Sequence, residues 1–107
     1  MMTALTPDDR IALAVRLATD YKVYLAIDEL ESVIKDHPLY VKAYVHLGIL
    51  HFKLAAIAKG REYMAKALAC NPTPEERQFI NSILSEQNKL DKNRYYRPDF
   101  EALRKEE

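Results

Sequence analysis

Pro38 and Pro72 stand thirty-four residues apart, and each closes a run of apolar residues at helical spacing. Proline pushes the residue before it out of helical geometry, so His37 and Asn71 mark helix ends. A second echo frames the same period. Thr6-Pro7-Asp8-Asp9-Arg10 returns as Thr73-Pro74-Glu75-Glu76-Arg77, sixty-seven residues on and one short of two periods, which implies a one-residue deletion in a turn. A period of this size marks an architecture of stacked supersecondary units, each unable to bury its apolar face alone. It restricts the chain to helix pairs joined by tight turns.

Composition agrees. The chain has 107 residues, 49% of them hydrophobic, and only two glycines. That is one domain with one modest core, rich in helix formers. The formal net charge is zero, and a nucleic-acid binder would show a basic excess, so no nucleic-acid partner is expected. The charge is uneven, however. Residues 1–40 carry seven acids and four bases, and residues 41–74 one acid and five bases. Complementary surfaces on neighbouring repeats, head-to-tail self-association and an acidic partner all fit that pattern. Cys70 is the one cysteine; it cannot form an internal disulfide and reads as a small buried hydrophobe in a reducing compartment. With no signal-peptide pattern and no apolar run of membrane-spanning length, a soluble cytoplasmic protein without membrane insertion is expected.

The expected fold is all-α. Thr6, Pro7 and Asp8-Asp9 open a first helix, with Ile11, Leu13, Ala14, Leu17 and Ala18 as its apolar face. Tyr21-Lys22 form a turn into a second helix bearing Val23, Ala26, Ile27, Leu30, Val33 and Ile34. A third helix, over about 39–54, is apolar almost all round and so belongs between neighbours. A fourth covers about 57–69. Thr73 and Glu76 form a capping box that opens a fifth helix, 74–90, with Phe79, Ile80, Ile83 and Leu84 on its apolar face. Beyond Leu90 the pattern fails. Residues 93–107 read as a tail in which 99–105 could form a short helix, separate from a helical domain over 1–92.

The middle segment, 41–74, resembles a tetratricopeptide repeat. Tyr44 stands at the large aromatic of the first helix, Leu47-Gly48 at the leucine and small-residue pair, Gly60 and Ala67 at the small positions of the second helix, Met64 between them, and Pro72 at the close. His51 replaces the usual tyrosine. Residues 7–40 match more loosely through Leu13-Ala14, Leu17, Ala26, Leu30 and Pro38, with Arg10 in place of the opening aromatic. The third segment keeps its first helix alone. The resemblance implies a short right-handed α-solenoid of antiparallel helix pairs, five helices plus a short C-terminal helix. It also implies a binding scaffold rather than an enzyme, with the first helix of each pair lining a concave groove.

Helical spacing selects the groove stripe: Val15 edged by Ile11 on the first helix, Lys42, His46, Ile49 and Lys53 edged by Val45 and Phe52 on the third, and Phe79 on the fifth. A basic centre with apolar flanks suits an amphipathic helix or an extended peptide of another protein. Part of that surface could instead be covered internally, with Tyr95, Tyr96, Phe100 and Leu103 of the tail as candidate contacts on the same chain or on a second copy. No catalytic, metal or cofactor site is expected. His46 and His51 fall on different faces of one helix without further ligands, Cys70 has no basic neighbour in sequence, and no glycine-rich phosphate loop occurs. The expected function is a non-enzymatic adaptor. The alternatives are a self-assembly module and a small chaperone of a secreted or assembling subunit.

Overall fold

The computed structural model describes residues 5–95, with side chains placed as far as Lys92. These residues form five α-helices and no strand: α1 Pro7–Thr19, α2 Val23–Asp36, α3 Val41–Lys53, α4 Ile57–Ala69 and α5 Pro74–Tyr95. The two capping boxes are formed. The Asp9 N–H donates to Thr6 Oγ1 at 3.1 Å and the Thr6 N–H returns to Asp9 Oδ2 at 3.2 Å. Thr73 and Glu76 repeat the exchange at 2.8 and 3.1 Å. By contrast α2, α3 and α4 start without a side-chain cap, so packing and the preceding turns hold them.

The thirty-four-residue period recurs in those turns. Tyr21 and Ala55, thirty-four apart, are both left-handed, with φ of 65° and 62°. The Lys22 N–H donates to Leu17 O and the Tyr21 N–H to Ala18 O; the Ala56 N–H donates to His51 O and the Ala55 N–H to Phe52 O. Each donor and acceptor has shifted by thirty-four, and both turns are Schellman closures. The connections α2–α3 and α4–α5 are each four residues long, while α4 has 13 residues to the 14 of α2. Pro38 and Pro72 keep the thirty-four-residue offset while α3 and α5 start thirty-three apart, so the missing residue lies after Pro72, in the turn, and α4 also ends one residue earlier than α2.

Contacts along each pair set its direction. The α3 series Tyr44, Gly48, Phe52 meets α4 at Tyr63, then Met64 and Gly60, then Gly60. Arg10 near the start of α1 reaches Glu29, Ser32 and Asp36 on the later turns of α2. Both pairs are antiparallel. The α3–α4 crossing is close because both residues at it are glycine. A Cβ on Gly60 would lie 2.5 Å from the Phe52 ring and 3.0 Å from Gly48 O.

The apolar third helix occupies the centre, touching all four others. The core runs through Leu30 and Val33 of α2, Leu47 of α3, Met64 of α4 and Ile80 of α5, all fully buried. Tyr44 and Tyr63 are buried too, their rings 6.4 Å apart, and the Tyr44 hydroxyl donates to Pro38 O at 2.7 Å. Cys70 is half-buried against this core.

Three sequence expectations change. Leu13 is 40% exposed, because α1 packs on α2 and α3 alone and uses its Ile11 and Ala14 side. Helix α3 starts at Val41, with Tyr40 still extended. Helix α5 runs to Tyr95, past the expected end at 90. Apolar periodicity stops at Leu90, but Asp91 is held by the Arg61 guanidinium of α4 and by Gln87 at 2.8 Å, and no proline or glycine interrupts residues 91–95. The short helix expected over 99–105 lies outside the described residues.

Candidate functional site

The odd-numbered helices lie side by side, α3 touching α1 on one flank and α5 on the other. Three hollows follow their seams and share walls. The first lies between the starts of α3 and α5, lined by Val41, Lys42, Val45, His46, Glu75 and Phe79 among others. The second lies between α1 and α3, where Val15, Ala18 and Thr19 face His46, Ile49 and Lys53. The third lies between the later turns of α3 and α5, where Ile49, Phe52 and Lys53 face Phe79, Ile83 and Leu90. His46 is common to the first two, Ile49 and Lys53 to the last two, and Phe79 to the first and third. Together they make one continuous groove along α3.

Of the groove residues read from sequence, Val15, Lys42, Val45, His46, Ile49, Phe52, Lys53 and Phe79 line it. Ile11 does not. It is 6% exposed and belongs to the core, because the inward face of α1 is centred on Ile11 and Ala14 and leaves Val15 at the seam. Phe52 divides its ring between the groove and the space above Gly60. Leu90, 58% exposed, and the buried Gln87 extend the groove beyond the sequence reading. Both lie within the helix expected from sequence, and the signal available was the helical phase of Phe79, which Ile83, Glu86 and Leu90 continue on the same side. Tyr96, Phe100 and Leu103 lie outside the described residues, as does the side chain of Tyr95.

The basic centre is half as basic as its sequence. Lys42 Nζ stands 3.7 Å from Asp8 Oδ1, and the Tyr40 hydroxyl donates to the same carboxylate. That hydrogen bond, with burial and the charges of Asp8 and Glu76, pushes the Tyr40 hydroxyl up to about 12. Lys53, exposed, has no ion-pair partner among the described residues. Burial first, and the Lys42 charge second, lower the His46 pKa below the usual imidazole value, so His46 is neutral at pH 7. The groove hydroxyls are spent locally: Thr19 donates to Val15 O at 2.9 Å and Ser82 to Phe79 O at 2.7 Å.

On the opposite side of α3, His51 stacks on Tyr63 at 5.3 Å, and Lys59 and Lys66 lie over the outer Tyr63 ring. Among the described residues no three His, Cys, Asp or Glu side chains converge as metal ligands, and no helix is long and apolar enough to cross a membrane. Burial raises the Cys70 thiol pKa, which opposes a nucleophilic thiolate. No protein-family model, curated protein or solved structure matches the chain.

Proposed function

We propose that the chain is a non-enzymatic protein-interaction module. In this reading it is a short right-handed scaffold of tetratricopeptide-like helix pairs that holds a peptide or amphipathic helix of another protein against α1, α3 and α5. One observation carries the reading: the groove along α3 keeps large apolar side chains in the open. Val15 is 44% exposed, Phe79 54% and Leu90 58%, on a floor continued by Ile49 and Phe52. Scattered apolar exposure needs no explanation, but a contiguous strip framed by charge marks an interaction surface. The thirty-four-residue offset between the α1–α2 and α3–α4 pairs, their starts and their turns, supports the repeat reading, and the single free cysteine fits a reducing, cytoplasmic setting.

The test uses a variant that leaves the core alone. Phe52→Ala would open space at the α3–α4 crossing, so Phe79→Ala combined with Lys53→Glu is the cleaner choice, both side chains being exposed. Wild-type protein purified from its native host is expected to carry a stoichiometric partner that the double variant loses at unchanged circular dichroism. Undiminished capture by a folded double variant would overturn the assignment.

A further inference from the structure

The groove chemistry narrows the occupant, given the interaction reading above. A bound extended peptide must find partners for its own N–H and C=O groups, since leaving them buried and unmet costs roughly 1–3 kcal/mol each. The wall helices offer no strand edge, because their backbone groups are bonded within the helices. The side chains offer little more. Thr19 and Ser82 donate to their own helices, Lys42 is paired with Asp8, Glu86 with Lys89 at 3.4 Å, and Glu76 caps its own helix through Thr73. Lys53, His46, Glu75 and the Gln87 carbonyl remain, scattered along two helices and too few for an extended backbone. A helix brings its backbone already satisfied and needs only an apolar stripe.

Charge then sets the direction. The end where α1, α3 and α5 begin carries Asp8, Glu75 and Glu76 against Lys42, and the far end carries Lys53, unpaired among the described residues, with Glu86 offset by its own partner Lys89. His46, neutral, sits between. Lys42 and Lys53 are eleven residues apart on α3, about 16 Å at 1.5 Å per residue, or three turns. Helices accept acids in their first turn and bases in their last. We infer that the groove takes an amphipathic helix of about three to four turns running antiparallel to α3, its acidic N-terminal turn over Lys53 and its basic C-terminal turn over Glu75 and Glu76.

Three fluorescent synthetic peptides of about fourteen residues test this by anisotropy at low salt. All carry the same apolar side chains, and the first two share one composition. The first has Glu in its opening turn and Lys in its last; the second has these reversed; both are hydrocarbon-stapled so that helicity is equal. The third carries central prolines that keep it extended. The first is expected to bind about ten-fold more tightly than the second, an advantage that fades as salt screens the charges, with the third weakest. Lys53→Glu is expected to remove the preference. Equal binding of the two stapled peptides overturns the direction and leaves the groove standing. Tightest binding of the proline peptide overturns the helix. No binding by any of the three overturns the inference and the groove assignment together.

Discussion

At Gly60 two helices meet without room for a methyl group. Alanine there would raise helix propensity by about 1 kcal/mol, but its Cβ would fall 2.5 Å from the Phe52 ring and 3.0 Å from Gly48 O. The carbonyl belongs to a buried helix and cannot yield cheaply, and overpacking of this kind costs about 1–3 kcal/mol. Gly60→Ala is therefore expected to lose about 1 kcal/mol net, read as a lower urea midpoint. The same substitution would swing Phe52 into the groove, so it should also alter ligand binding. At Gly48 an added Cβ would first meet the flexible side chain of the buried Met64 at 2.8 Å, with Gly60 O behind it at 3.1 Å. Arg10 shows the opposite economy. Its guanidinium bonds Glu29 at 3.2 Å, Asp36 at 2.9 Å and Ser32 at 2.6 Å, tying α1 to α2 by charge.

Among the elements, the two Schellman turns matter most. Each needs a left-handed residue, and neither has the glycine that adopts it freely. Ala55 at φ 62° is held by its two flanking backbone hydrogen bonds alone. Left-handed geometry costs a non-glycine residue roughly 1–2 kcal/mol, partly offset by the greater freedom glycine gains on unfolding. Ala55→Gly is expected to stabilise the protein by about 0.5–1 kcal/mol, measured as a rise in melting temperature; no gain would show the turn to be unstrained. Asn71, at φ 58° after α4, is a residue type that tolerates this region. Helix α5 is anchored differently, through Arg61 and Gln87 on Asp91, which carries its groove-facing side as far as Leu90.

For the molecule as a whole, the two imidazoles of α3 link stability to pH. Burial lowers both pKa values; Lys42 adds to the effect at His46, and at His51 Lys59 adds while Glu31 opposes. His51 Nε2 is buried without a hydrogen-bond partner among the described residues. A lowered folded pKa means that the unfolded chain binds protons first. Stability is therefore complete above about pH 6.5 and falls as pH drops through the unfolded value toward the folded ones. Urea midpoints are expected to decline between about pH 7 and pH 5, and less so in a His46→Gln, His51→Gln double variant. The fold-level order was legible beforehand because the helix starts rest on local chemistry at Thr6 and Thr73, and the stops on His37-Pro38 and the Asn71-Pro72 pair. The groove stripe was legible wherever helical phase alone decides exposure, as at Val15, Ile49 and Phe79. Phase put Ile11 both on the apolar face and at the groove edge and could not choose between them, nor could it show that Asp8 reaches Lys42 or that Asp91 finds Arg61 thirty residues away, since each depends on how separate helices come together.

That every helix touches only its next or next-but-one neighbour along the chain also bears on how quickly the native state is found. No contact must wait for distant segments to meet, and the loops closed by each pairing are short, so little chain entropy is lost before packing repays it. Proteins with such local topology fold in roughly microseconds to milliseconds. Helix α3, which touches all four others, is the natural place for the folding nucleus, so substitutions in its core should slow refolding more than they hasten unfolding.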